Sequence, residues 1–414
     1  MSDAYVSPML LICLVMMLFW YSPVFGAPEV AWISGWGTAQ EDHVFEGVSL
    51  QGKEFCVVGK CGEPHSSQTD GFVMKGDVTG KQEWQTLLGE RGCHDEARCI
   101  VEVRNGFLIG GTAGVGRNSS KACLWKLSSA GEIEWKKVLD HTKNGAIRGL
   151  DVVDDESLVA TGYIQSDENV IPFISDESVG IVLKLNVTGE IEWQKELPFS
   201  QGSKILASQK QGTITICGTA WRDSLNSEHQ DAFLVQFSSQ GKKLFQHFYG
   251  GAAMDQCFDF DTLSDGFVLA GHTVGRESEN WDVWLVRTDS EGKMLWQQTY
   301  DQLSGGTSKK IFDECYGVQQ TSDGGFVLAC GSGIEPDNVA DEESSDTIWA
   351  ACLLKTDGLG LPCWTYVFHQ PESGHNACEW VIPFGDKEYL MLLDSDHLGD
   401  AEPSNVGFIH IHDK

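Results

Sequence analysis

Basic residues are scarce in this chain. Lys and Arg number 29 against 60 Asp and Glu in 414 residues, a net charge of −31. Such a surface repels polyanions, which excludes nucleic acid and anionic membranes as partners. Long apolar runs are scarce too. Met9–Tyr21 is an unbroken run of thirteen, short of the roughly 20 residues a membrane helix needs. No later segment approaches eighteen. No stretch combines a 3.6-residue apolar period with helix caps. There is no adjacent Cys-Cys pair, G-x-S-x-G elbow, H-E-x-x-H pair, phosphate-cradling glycine loop or EF-hand spacing. The familiar short signatures of hydrolases, zincins and nucleotide enzymes are therefore missing.

What is present begins at the N-terminus. The run Met9–Tyr21 fits the apolar segment of a secretory signal, although no Lys or Arg precedes it and Asp3 does. Val24 and Gly26 are small residues at −3 and −1 of a cut before Ala27. Residues 1–26 are thus expected to be a signal peptide, with an uncleaved short anchor as the alternative. Residues 27–414 are expected to form one secreted, monomeric domain. That domain holds twelve cysteines, an even number. Several, such as Cys56 and Cys217, sit inside apolar strand patterns and read as buried small residues. Cys93, Cys99, Cys61 and Cys363 are the better disulfide candidates. Asn118 and Asn186 head sequons and are candidate glycosylation sites.

The body of the chain is a repeat. An aromatic marker falls at Trp32, Trp84, Trp135, Trp193, Phe245, Trp296 and Trp364, with spacings of 52, 51, 58, 52, 51 and 68. Glycine stands four before it at Gly80, Gly131, Gly189, Gly241, Gly292 and Gly360. A long basic side chain stands nine before it at Lys75, Lys126, Lys184, Arg287 and Lys355, with Gln236 in the remaining unit. Asp282–Tyr300 shows the element whole: an alternating strand, the turn Asp289-Ser290-Glu291-Gly292, and a second strand carrying Trp296. Each unit holds four strand signals. Four strands in about 52 residues, seven times over, predicts an all-β seven-bladed β-propeller with four-stranded antiparallel blades. The marker aromatic would lie between blades. Gly407–Asp413 matches a third strand with no fourth after it, and Val30–Ile33 a fourth with no third before it. Pairing them would close the ring and leave no free edge there.

Units such as Asp265-Gly266-Phe267-Val268-Leu269-Ala270-Gly271 followed by Asp282–Trp296 resemble the DGGFVLAG…DVWLVKTDSEGNxxW repeats of secreted prokaryotic β-propeller proteins. The resemblance covers all seven units and implies the fold. Few of those proteins have an assigned activity, so it implies little function. The element Thr288–Trp296 is also similar to the tryptophan-docking motif of quinoprotein dehydrogenases, which bind pyrroloquinoline quinone and calcium, usually on eight blades. Seven units and the missing Cys-Cys pair depart from that pattern, and the motif itself carries no catalytic residue. No cofactor is predicted from it. Calcium stays possible at the acidic positions described next.

Candidate site residues follow from the fold. Side chains near the start of each innermost strand ring the channel mouth. Aligned by unit, these are His43, Asp95, Asp255, Asp313 and Asn376, with His94 and His375 beside them, and Asn144 and Ser203 less clearly. Converging His, Asp and Asn could bind a cation or a polar ligand. The plainer reading is that each Asp or Asn caps its own turn, blade after blade. The loops between strands 2 and 3 share this face: Gln165–Val179, Trp221–Asp231, Ser332–Thr347 and Asp394–Asn405. They vary most, and long loops on a regular scaffold are where recognition is usually placed. His410 and His412 share a face of the last strand and read as packing and rim positions. Two functions stay open. One is a binding protein that recognises an extracellular protein or glycan through the loop-bearing face. The other is an extracellular hydrolase, lyase or oxidoreductase with its site at the channel mouth, acting on a small molecule.

Overall fold

The structure is a computed structural model that describes residues 27–38, 40–62, 68–90, 92–114, 119–139, 144–154, 157–165, 178–222, 229–274, 280–305, 311–334, 349–368, 375–396, 398 and 405–414. The expected signal peptide, Asn118, and most of the long loops lie outside them. Among the described residues no helix is long and apolar enough to cross a membrane.

Twenty-eight strands form seven separate four-stranded antiparallel sheets. Six blades each use four consecutive strands. The seventh joins the first strand of the chain, Glu29–Trp36, to the last three. There Glu29 pairs with His412, Trp32 with His410 and Trp36 with Val406. The innermost strands are Asp42–Ser49, Glu96–Val103, Asn144–Asp154, Ser200–Ser208, Asp255–Leu263, Ile311–Gln320 and Asn376–Gly385, here taken as opening blades 1 to 7.

A four-stranded sheet cannot bury both faces alone, and the core shows how the ring solves this. Buried apolar residues fall into seven clusters, each drawn mainly from two neighbouring blades. The cluster across the closure packs Phe55 and Phe72 of blade 1 against Trp380, Leu390 and Phe408 of blade 7.

The repeating hairpin is the joint between blades. Gly292 takes φ +78°, and a Cβ there would lie 2.7 Å from the ring of Phe245 on the preceding blade. Each of the other five turn glycines meets the marker aromatic of the preceding blade in the same way, from Gly80 on Trp32 to Gly360 on Trp296. Indole N–H groups finish two of these joints, Trp32 to the Val78 carbonyl at 3.1 Å and Trp193 to the Ser239 carbonyl at 3.2 Å. The basic position stands directly opposite the marker aromatic on the third strand, as Lys75 opposite Trp84 and Arg287 opposite Trp296. Lys75 and Lys184 pair with Glu83 and Glu192 on the fourth strand, both at 2.7 Å. In blades 5 and 6, Arg287 and Lys355 turn instead to Asp265 and Asp323 in the strand 1–2 turn.

All twelve cysteines of the described residues are free thiols, and ten of them are buried. Cys61 and Cys99 lie within the core, while Cys93 and Cys363 are half-buried.

Candidate functional site at the propeller axis

Every innermost strand carries a bulge close to its start. The register shifts at Val44/Glu46, Ala97/Cys99, Ile147/Gly149, Gly202/Lys204, Cys257/Asp259, Cys315/Gly317 and Cys378/Trp380. A bulge leaves one residue unpaired and re-aims it. The second strand accommodates the kink with glycine in five blades. At Gly271, for example, a Cβ would lie 1.9 Å from the Gln256 carbonyl. The seven extra residues are Phe45, Arg98, Arg148, Ser203, Phe258, Tyr316 and Glu379. Together with Glu46, Lys204 and Trp380 they line a cavity of about 120 Å³ on the axis. Seven equivalent backbone positions thus present aromatic, basic, acidic and hydroxyl side chains to one space.

The charges in this cavity are mostly engaged. Arg98 binds Glu96 (2.6 Å) and lies over the Phe45 ring, 4.0 Å from its centroid. Burial opposes the charge on Glu96, but Arg98 and Lys60 outweigh it and bring the carboxyl to about 2. Beneath, Lys204 of blade 4 reaches Glu46 of blade 1 at 2.7 Å and packs over Trp380. Burial disfavours the Lys204 ammonium, yet Glu46 and Asp259 hold its pKa above the usual lysine value. Tyr316 donates to Glu314. Arg148 is pushed down to about 10 by burial and by the nearby Arg98. Glu379 is pushed well above the usual carboxylate range by burial and then by Asp394.

The residues expected at the mouth fall into two groups. Asp95, Asp255 and Asp313 sit at one equivalent position, and Asp42, not His43, is their counterpart in blade 1. Each carboxylate accepts hydrogen bonds from its own blade and from the linker that leads into it. Asp95 takes the amides of Glu90 (3.2 Å) and Gly114 (3.1 Å). Asp255 takes the Gly251 amide (2.8 Å) and the Thr273 hydroxyl. Asp313 takes the amides of Gln302 (2.6 Å) and Leu303 (3.1 Å). Asp42 takes the Thr38 amide and hydroxyl and the Gly62 amide. Burial raises the pKa of all four. Asn376 accepts from the Ser395 hydroxyl (2.7 Å) and donates to the Trp349 carbonyl (3.1 Å). A calcium ion at these groups would have to replace their hydrogen bonds.

His43, one residue further on, faces the mouth. Its Nδ1 lies 2.6 Å from Asp394 of blade 7 and its Nε2 2.8 Å from Glu41. Burial works against the imidazolium, but Asp394 raises the pKa to about 9. His375 is exposed and its ring stacks on Trp349, while half-buried His94 bridges to Thr69. Of the three histidines expected at the mouth, His43 is the one brought against carboxylates; His229, which was not expected there, lies 3.9 Å from Asp231. Asn186 is at the strand 3–4 turn of blade 3, its Oδ1 accepting from the Thr188 hydroxyl at 2.7 Å.

Comparison with known proteins places the chain by shape. No protein-family model matches it, and no curated protein does. Among solved structures, a protein of unknown function from Dyadobacter fermentans aligns over 94% of this chain and 100% of its own, at 9% identity and TM-score 0.50. The Dos1 propeller aligns over 91% and 95%, at 10% identity and TM-score 0.47. Drosophila Plexin A, solved in complex with Semaphorin 1b, aligns over 94% and 88%, at 7% identity and TM-score 0.47. The likeness is one of fold.

Proposed function

We propose that this chain is a secreted, monomeric, non-catalytic binding propeller. Its ligand is a glycan, free or carried by an extracellular protein. Recognition uses the loop-bearing face, with one sugar ring seated in the axial cavity. The observation that carries this reading is the composition of that cavity. Four aromatic rings, Phe45, Phe258, Tyr316 and Trp380, are interleaved there with Arg148, Ser203 and Glu379. Aromatic faces suit the C–H side of a sugar, and the charged and hydroxyl groups suit its hydroxyls. Secretion is supported by the apolar run Met9–Tyr21 and the small residues before Ala27. Glycosylation at Asn118 and Asn186 belongs to the same reading.

The test is a glycan array probed with the purified mature chain, alongside Glu379→Gln. Retention of a defined sugar, weakened at least about tenfold in the variant, supports the reading. No retained glycan, or equal retention by both proteins, overturns it. One observation favours the enzyme as a second reading: Glu379 lines the cavity and holds its proton well above the usual carboxylate range, as a general acid must. Release of reducing ends from a retained glycan, lost in Glu379→Gln, would decide for catalysis.

A further inference from the structure

On the opposite face, where blade 7 closes the ring, three ligand-type side chains converge outside the axial site. Glu388 opens the second strand of that blade, and His410 and His412 end its third. Glu388 and His412 are direct cross-strand partners, and His410 pairs with Leu390 on one side and Trp32 on the other. Glu388 Oε2 lies 3.2 Å from His410 Nε2 and 3.8 Å from His412 Nε2. All three donor atoms lie within 4.8 Å of one another.

We propose that Glu388, His410 and His412 bind a divalent transition-metal ion, with zinc as the fitting case. Four-coordinate zinc takes imidazole nitrogen and carboxylate oxygen at about 2.0–2.2 Å, so its ligands stand about 3.3–3.6 Å from one another. Two of the three separations here already bracket that spacing. Two imidazoles and one carboxylate are a donor set for zinc and its neighbours, not for calcium or magnesium.

A second observation points the same way. His410 is 5% exposed; its Nδ1 has no hydrogen-bond partner, and its Nε2 meets only the Glu388 oxygen, at 3.2 Å and outside hydrogen-bond geometry. Buried polar groups are normally satisfied, and a metal would satisfy Nε2. The ring is held in place by Trp32 and Phe384, at centroid distances of 5.5 and 5.3 Å. The Lys53 ammonium lies 2.5 Å from the same Glu388 oxygen. It occupies the place of a cation, and its half-exposed side chain is free to swing away. His412 is open to solvent, which gives the ion access and leaves a fourth position for water. A bound ion would stitch the last two strands of the chain together beside the first.

The experiment is zinc titration of the tag-free mature chain by calorimetry, with thermal unfolding in parallel. One zinc per chain is expected, with a raised melting temperature. His412→Ala changes an exposed side chain, so its fold should survive, which circular dichroism checks; it should weaken binding at least about tenfold and abolish the thermal shift. Glu388→Gln should also weaken binding, and Lys53→Gln should tighten it by removing the competing cation. Absence of stoichiometric binding, or affinity unchanged in both His412→Ala and Glu388→Gln, overturns the proposal.

Discussion

Glu46 of blade 1 and Lys204 of blade 4 meet across the propeller axis at 2.7 Å, both almost fully shielded from water. The pair closes the floor of the axial cavity and ties together strands far apart in the chain. Removing one partner leaves an uncompensated buried charge, which costs about 3–5 kcal/mol, whereas replacing both with apolar groups is often close to neutral. Lys204→Met is therefore expected to lower stability by about 3 kcal/mol, and Glu46→Leu with Lys204→Met to recover most of it. Denaturant unfolding of the three proteins checks the order.

The His43 contact with Asp394 joins blade 1 to blade 7 and should make stability depend on pH. The folded pKa is about 9, above the ordinary histidine value of 6.5. A raised pKa means that the folded state holds the proton more tightly. The contribution is then fully present below about pH 6.5 and is lost as pH rises through about 9. Wild type should exceed His43→Gln by on the order of 2 kcal/mol at pH 6. The gap should shrink steadily towards pH 9.5. A gap that grows with pH would contradict the assignment.

The turn glycines offer a controlled comparison. Gly292 and Gly305 have nearly the same backbone, φ +78° and +77°, but a Cβ at Gly305 meets nothing within 4 Å. Alanine at Gly305 should cost only the left-handed penalty, about 1–2 kcal/mol. Alanine at Gly292 adds a collision with the Phe245 ring and should cost roughly 1 kcal/mol more, in the range of overpacked sites. Thermal unfolding of the two variants measures the blade joint directly.

Removing residues 27–36 takes the outer strand from blade 7 and exposes the edge of Asn405–His412. An unpaired edge invites pairing with other chains. The truncated chain should unfold at lower denaturant and run as higher-order species in size-exclusion chromatography. Monomeric behaviour at full stability would show that the first strand is dispensable.

The fold was legible because its requirements recur. Gly292 must turn and Trp296 must cover the next blade, and the same needs write Gly131 and Trp135, Gly241 and Phe245. The mouth was legible only in part. Asp95, Asp255 and Asp313 share a capping role that repeats, and the match of His43 to them was off by one because Asp42 holds the cap. Apart from Ser203, which aligns only loosely with the mouth positions, the cavity residues escaped notice for the opposite reason. Phe45, Arg98, Ser203 and Glu379 share a backbone position and no chemistry, so no pattern marks them. A signal did exist: each stands three residues after the capping position, amid small or apolar neighbours such as Ala97 and Cys99. Only the bulge turns that offset into a place on the axis.

The pairing of Trp32 with His410 also sets the order of events in the life of the molecule. The strand Glu29–Trp36 has no partner until Asn405–His412 has been made. Its ladder is the most non-local contact the chain makes, and such contacts form slowly. Six blades can assemble while the ring is still open, but the clasp fastens only when the final residues arrive. The same geometry works in reverse. Parting that ladder removes the outer strand of blade 7 and opens the ring. The seam is thus the contact whose closure costs the most chain entropy, and the one whose loss turns the ring into an open row of blades.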